Sequence, residues 1–416
     1  DYQFYISNHD TSKMEYKVYY RERFDKMIKD FDWIKTAKAT TAGAELHFNA
    51  LKNQKLRLIS GYRSLAIFDT VLMTQTPENS IIGRLEYSFK LWKNALQWST
   101  FYEVGSGLEQ KREFLYIQVN SGQGIYTWID YDDDGVKDLN EFEVAQYADQ
   151  ADYVRVFVPS NAYVNTYSNE FNQSFYWRPE RIWAKKKGFL GLMSRFSDQA
   201  RFRVIKKTSS ISGGDVFNPF DIRVQDSSLI STNAFIRNAL FFNRTSSVFA
   251  AGYTIQQNQS KTLLASGFDS RASNYNEFNL RWNITRRFSV KMVGQIGMKQ
   301  ALADYTTGRD YSIDYEWLKT TLSYQPSTNF RLTLESRGVA KENILSSGSG
   351  ETCQILDLGS TFKYNQTNKG SLQGEFKVLK IDYTGSINSA IGFEMLEALR
   401  PGINYTWTIG YQKTVS

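Results

Sequence analysis

Apolar and polar residues alternate one by one over long stretches of this chain, and that pattern constrains the fold more than any other feature. Ile403, Tyr405, Trp407, Ile409 and Tyr411 alternate with Asn404, Thr406, Thr408, Gly410 and Gln412. Phe278, Leu280, Trp282 and Ile284 alternate with Glu277, Asn279, Arg281 and Asn283, and Leu85, Tyr87, Phe89 and Leu91 with Arg84, Glu86, Ser88 and Lys90. Successive side chains of a strand point to opposite faces, so each such segment predicts a strand with one apolar and one polar face. Many of the segments reach about the 9–11 residues that a tilted strand needs to cross a bilayer. Strands of soluble domains average only about five or six. Length therefore favours an antiparallel transmembrane β-barrel, an all-β fold, over a sandwich.

Composition agrees. Of 416 residues, 15% are aromatic, Phe 28 and Tyr 26 far outnumber Trp 9, and Pro is rare at 6. Tyr and Phe suit half-buried pleated surfaces, and few prolines leave ladders unbroken. The mean hydropathy of -0.46 would mark a soluble protein by a simple filter. That filter misses barrels, because only alternate residues face lipid. No run of about 18 apolar residues is present, so no membrane-spanning helix is predicted. The net charge of +7 comes from 50 basic and 43 acidic residues that are interspersed. No basic run is joined to a base-stacking platform, so nucleic acid is not a predicted partner. A single cysteine, Cys353, placed on a long loop, excludes an internal disulfide framework.

The connections have a phase. Short ones fall at Lys52–Gln54, Trp92–Asn94, Lys185–Gly188, Asn243–Thr245, Thr285–Arg287, Gln325–Thr328 and Asn365–Gly370. Long ones fall between them: Leu65–Asn79, Thr208–Ile230, Gln257–Arg271, Gln300–Asp310, Ala340–Thr352 and Thr384–Pro401. Short turns on the periplasmic side and long loops outside is the outer-membrane pattern. Fourteen strands flank the short turns, and Ile403–Tyr411 with a segment near Glu15–Tyr20 brings the expected number to about sixteen. Residues 1–104 read as the first barrel strands, 105–162 as an extracellular insertion and 163–416 as the remaining strands. Short strands are expected within the insertion at Phe114–Val119 and Tyr153–Val158. Closure by the phase requires at least one more upward and one more downward strand, expected in sequence outside residues 1–416.

Within the insertion, residues 130–141 fit the twelve-position calcium loop of an EF-hand. Asp130, Asp132 and Asp134 take positions 1, 3 and 5, and Gly135 takes position 6, where the chain turns sharply. Val136 offers its carbonyl at position 7, Asp138 acts through water at position 9, and Glu141 offers both oxygens at position 12. Calcium is a hard cation that takes six to eight oxygens, and this spacing wraps them round one centre. Position 8 is Lys137, where paired EF-hands place an apolar residue, and the flanks do not read as two helices. A lone structural calcium site is the prediction.

Several stretches are distinctive together: Glu103–Glu109, Gly122–Trp128 leading into the acidic loop, Asn140–Ala145, Tyr153–Phe157, Asp226–Ile230, and Arg237-Asn238 with Phe241–Arg244. Through them the chain from Lys90 onward resembles a family of large outer-membrane proteins of Bacteroidota. The resemblance implies a longer protein with an upstream region, and two further strands after Ser416. It implies no known activity.

Nothing in the sequence assembles a catalytic site, and no enzyme is predicted. His47 shares a polar strand face with Glu45 and Asn49, and Ser106 lacks a nucleophile-elbow setting. The polar faces mix signs, as in Arg84, Glu86 and Lys90, or Arg331 and Glu335. A selective pore often shows a ring of one sign, whereas mixed signs suit ion pairs that fill a lumen. The predicted function is an outer-membrane barrel acting as scaffold or transport component of a larger surface or secretion complex. Its expected partners are outer-membrane lipid and other outer-membrane proteins or lipoproteins. The alternatives are a passive porin and a soluble surface β-protein that binds glycan.

Overall fold

The computed structural model describes the chain except residues 9–12, 50, 74–76, 125, 132–133, 146–149, 210–216, 221–227, 265–266, 304–309, 346–349, 367–369 and 414–416. The alternating segments form strands, in order β1 (Tyr2–Ser7), β2 (Met14–Lys29), β3 (Asp32–Phe48), β4 (Gln54–Ile67), β5 (Glu78–Leu91), β6 (Leu96–Gln118), β7 (Tyr126–Trp128), β8 (Phe142–Val144), β9 (Tyr153–Trp177) and β10 (Phe196–Thr208). They continue as β11 (Leu229–Phe242), β12 (Phe249–Leu264), β13 (Gly267–Asn283), β14 (Phe288–Ala303), β15 (Tyr311–Tyr324), β16 (Phe330–Asn343), β17 (Thr352–Gln366), β18 (Gly370–Thr384) and β19 (Gly402–Lys413). All nineteen belong to one antiparallel sheet. β7 and β8 are three-residue strands of the insertion. The other seventeen form the wall, each paired with its neighbour in chain order except that β6 passes directly to β9. This is the antiparallel barrel predicted, with one strand more than the sixteen expected. The extra strand is β1, whose alternation is too short to stand out.

The register settles which face is which. One row across the wall runs Tyr253, Phe278, Gly294, Leu318, Gly338 and Leu356, each opposite the next. These side chains are exposed on the outside, Leu318 at 51% and Leu356 at 49%. Trp282, Ile284, Tyr405 and Trp407 are likewise exposed on the outer surface rather than packed between sheets. At the short-turn end the outer face carries a girdle of aromatic rings, with Phe196 on Phe242 (5.0 Å) and Phe288 on Tyr324 (4.6 Å). Aromatic girdles of this kind mark a membrane–water interface. Toward the long-loop end the apolar rows stop. On β15 Leu322 and Leu318 give way to Glu316 and Asp314, and on β12 Tyr253 and Ile255 give way to Gln257 and Gln259.

Above that limit the strands continue. The expected connection Gln257–Arg271 is mostly ladder, because β12 runs to Leu264 and β13 starts at Gly267. In the insertion, Phe114–Val119 and Tyr153–Val158 are not separate strands. β6 and β9 stay paired up to Gln118 opposite Tyr153, with one break in register between Gln110 and Arg112. Beyond the bilayer both faces meet water, so the one-sided alternation disappears while backbone pairing persists. β2 and β3 meet in a two-residue turn at Asp30 and Phe31, both with positive φ (50° and 67°), the left-handed pair of a type I′ hairpin.

Among the described residues β1 pairs only with β2 and β19 only with β18. With seventeen alternating strands the two edges run in the same direction.

A lipid-facing charge tests the assignment of faces. Leu318→Arg should destabilise the barrel in bilayers by about 2–4 kcal/mol, as basic residues do near the midplane of a barrel. Thr321→Arg, on the inner face, should cost far less in the same urea titration. Equal costs would mean that the two faces are assigned wrongly.

Candidate functional site at the long-loop mouth

The connection from β18 to β19 was expected as an extracellular loop; it folds instead into the lumen. It carries a short helix, α3 (Ala390–Leu396), begun by Ser389, whose side chain accepts the Gly392 N–H at 3.1 Å. Ile391, Met395 and Leu396 fall on one helical face and are buried. They pack on inward residues of four strands: Ile313 on β15, Val339 on β16, Cys353 and Ile355 on β17, and Ile381 on β18. This is an apolar patch on an otherwise polar inner wall. Cys353 belongs to β17 rather than to a loop, and its fully buried Sγ lies 3.4 Å from the Met395 carbonyl.

The helix stops because Glu397 and Ala398 take left-handed φ values of 53° and 62°. The turn aims the Glu397 carboxylate at the wall. Arg337 donates to it at 2.9 Å and Lys341 at 3.0 Å, and Lys341 also donates to the Met395 carbonyl at 3.0 Å. One turn earlier, Glu394 pairs with Lys299 at 2.6 Å. A polar latch thus surrounds the apolar contact. Burial raises the pKa of Glu397, but the hydrogen bond from Arg337 and the charge of Lys341 outweigh it and hold the carboxyl below its ordinary range.

The insertion stands over the same mouth. Tyr116 of β6 stacks on Phe142 of β8 at 4.1 Å, and Tyr153 of β9 meets Phe142 edge-on at 4.9 Å. A cavity of about 570 Å³ lies between this cap, through Tyr116 and Arg155, the α3 connection, through Glu394 and Glu397, and the wall, through Arg271 and Lys299. Its lining is mixed in sign.

The predicted calcium residues are only partly brought together. Asp130 accepts from the Gly135 N–H at 2.9 Å through one oxygen, and its other oxygen is buried without a hydrogen-bond partner. Asp134 accepts from Val136 N at 2.6 Å, and Val136 itself is exposed. Gly135 has φ 73°, as the sharp turn requires. Asp138 caps a single 3₁₀ turn, Leu139–Glu141. Glu141 is 1% exposed and accepts from the Trp128 indole at 2.7 Å, Tyr131 N at 3.1 Å and Asp138 N at 3.2 Å. Asp132 lies outside the described residues. Among those described, no group of three or more metal-binding side chains converges. Lys137, the departure at position 8, lies over the rings of Trp128 (5.4 Å) and Tyr153 (5.2 Å).

Other sequence candidates have plain roles. Arg57 donates to His47 at 3.1 Å, with Glu15 3.6 Å from the other ring nitrogen. The mixed-sign faces include ion pairs, Arg84 with Glu103 at 2.5 Å and Lys319 with Glu335 at 2.9 Å. The latch of Arg337, Lys341 and Glu397 is not legible in the sequence. Its only trace in the sequence is the pair of inward cations Arg337 and Lys341 on β16, and nothing along the chain marks the loop carboxylate that meets them.

The sequence matches no known family profile and no curated protein. Among solved structures, the chain is similar to OmpT, an outer membrane protein of Vibrio cholerae, at 10% identity and TM-score 0.33, covering 97% of this chain and 98% of that one. It is also similar to OmpF of Salmonella typhi in complex with daunomycin, at 8% identity and TM-score 0.31, covering 98% and 100%. A third is the siderophore receptor PirA of Acinetobacter baumannii, at 9% identity and TM-score 0.25, covering 98% and 73%. At these values the likenesses assign no activity to this chain.

Cys353 reports on the plug. Glu397→Gln should speed maleimide labelling of Cys353 about tenfold or more, since hydrogen bonds to charged groups are worth about 1.5–3 kcal/mol. Unchanged labelling would mean that the latch does not hold the helix. The pH sign follows from linkage. A carboxyl with a depressed pKa stabilises the closed state above its ordinary pKa, and that contribution is lost as pH falls through the depressed value. Protease protection of residues 385–401 should therefore be constant from neutral pH down to the ordinary carboxylate range and fall below it. Release as pH rises would contradict the assignment.

Proposed function

We propose that the chain is an integral β-barrel of a Gram-negative outer membrane, working as a plugged transport component or scaffold within a larger surface or secretion complex. The outward apolar band and aromatic girdle support lipid as its surroundings, since lipid leaves closed barrels as the only spanning sheets. The observation that carries the functional reading is the luminal plug: α3 packs on an apolar patch of the inner wall and is latched by Glu397. A loop fixed against the inner wall narrows the lumen, which favours a plugged or structural barrel over a wide open pore. On this reading its partners are other outer-membrane proteins or lipoproteins, and no catalytic role is assigned.

Planar-bilayer recordings of the full-length protein test this. The intact protein should show little steady conductance, and removal of residues 386–400 should open large steps. Porin-like conductance that removal of the plug does not change would favour the passive channel.

We also infer that residues 130–141 bind one calcium ion. The unpartnered buried oxygen of Asp130, the left-handed Gly135 and the all-oxygen donor set support this reading. Asp130, Asp132, Asp134, Asp138, Glu141 and the Val136 carbonyl would hold the ion, and Glu141 would exchange protein hydrogen bonds for it. Extracellular sites bind at roughly 10⁻⁴–10⁻³ M. Chelation, or Asp130→Ala, should make residues 122–152 protease-sensitive while the heat stability of the barrel is unchanged. Identical protection with and without millimolar calcium would end this assignment.

A further inference from the structure

The short-turn end of the barrel holds a cationic cleft with no assigned role. The connection from β9 to β10 is the longest on that side and forms two short helices, α1 (Glu180–Trp183) and α2 (Phe189–Met193). Between it and the β11–β12 turn lies a cleft of about 610 Å³. Lys186, Lys187, Arg195 and Arg244 line it. None of the four makes an ion pair with a described residue. Arg244 lies over the Phe241 ring at 4.5 Å. The one carboxylate in the lining, Glu180, accepts from the Thr245 hydroxyl at 3.2 Å. The backbone holds the two walls together, with Asn243 N–H on the Arg195 carbonyl at 2.8 Å.

We propose that this cleft binds the phosphate headgroup of an anionic phospholipid from the leaflet on the short-turn side. The inference rests on the membrane reading of the barrel. Four cations against the single carboxylate of Glu180 leave the cleft with an excess of positive charge, which favours a bound anion, and a phosphate group supplies several acceptor oxygens to such donors. Depth favours a lipid over a soluble anion or an acidic peptide. Phe196, which lines the cleft, belongs to the aromatic girdle and packs on Phe242. Trp183 of α1 meets the outward Trp177 edge-on at 6.4 Å. On α2, Phe189 (72%), Leu190 (39%) and Leu192 (46%) are exposed apolar side chains in a connection that also holds Lys185, Lys186 and Lys187. Apolar side chains at the acyl boundary with cations at phosphate level are the signature of an interfacial segment.

The experiment uses the full-length protein in nanodiscs of phosphatidylcholine with a minority of phosphatidylglycerol. Heat-modifiable gel mobility is read first; absence of an inserted barrel would overturn the membrane reading itself. Lipid retained after detergent extraction is then counted by native mass spectrometry. The variant Lys186→Gln/Lys187→Gln/Arg195→Gln/Arg244→Gln should retain phosphatidylglycerol about tenfold or more weakly, since each basic residue near an anionic surface is worth about 1 kcal/mol. A control with equal charge loss elsewhere on the same rim, Lys52→Gln/Lys93→Gln/Arg286→Gln/Arg287→Gln, should retain it as the native protein does. Equal loss in both variants would replace the cleft by diffuse surface charge and overturn the inference. Displacement of the lipid by an acidic peptide or by millimolar inorganic phosphate would also overturn it, in favour of a protein or free-anion site. Should the cleft variant fail to insert, a photoactivatable phosphatidylglycerol on the native protein decides: crosslinks at residues 183–197 and 243–246 support the site, and crosslinks spread round the rim refute it.

Discussion

Backbone pairing in a medium without water is the constraint on which the rest of this structure depends. A bilayer offers no partner to an open N–H or C=O, so each crossing strand must satisfy its backbone on two neighbours. The wall does this from β2 to β18 without a crossover. The side-chain pattern then follows, because a sheet in lipid keeps its apolar row outside and leaves its polar row to the lumen.

A polar inner wall would ordinarily be wet. The patch formed by Ile313, Val339, Ile355 and Ile381 breaks that rule and is covered by α3. Burying it against Ile391, Met395 and Leu396 removes apolar surface from water inside the lumen, which is why a loop turns inward rather than outward. The ionic ring around it fixes register. Arg337 and Lys341 lie two strand repeats apart on the inner face of β16, and the left-handed end of α3 sets one carboxylate between them. A hydrophobic contact bounded by ion pairs holds α3 against the wall in one register, and this contact is what the proposed reading of the barrel rests on.

The cap follows a different logic. Its strands are continuations of β6 and β9 into water, where a two-stranded ribbon needs added support. Phe142 between Tyr116 and Tyr153 supplies apolar contact, and Glu141 ties Trp128, Tyr131 and Asp138 to one buried carboxylate. Lys137 over Trp128 and Tyr153 explains why this loop has a lysine where paired EF-hands have an apolar residue: its partner is the aromatic cluster of its own ribbon, not a second loop.

The alternation of Phe278, Trp282, Tyr405 and Trp407 determined from sequence alone that these segments are strands with an outward apolar face, because period two has one structural meaning once the strands are this long. Turn phase likewise determined the hairpin order, and the spacing from Asp130 to Glu141 determined the sharp turn at Gly135. Sequence could not carry the strand ends beyond the bilayer, since Gln257–Leu264 has no apolar face to mark it although its ladder is intact. Nor could it place α3. Seven residues, Ala390–Leu396, have too few turns for a helical period to show, and the patch they cover comes from four strands spread from Ile313 to Ile381. Only the pairing of β15 to β18 side by side and the inward fold of the β18–β19 connection bring Arg337, Lys341 and Glu397 to one point, so the latch was decided by tertiary structure: its partners are neighbours in space and far apart along the chain.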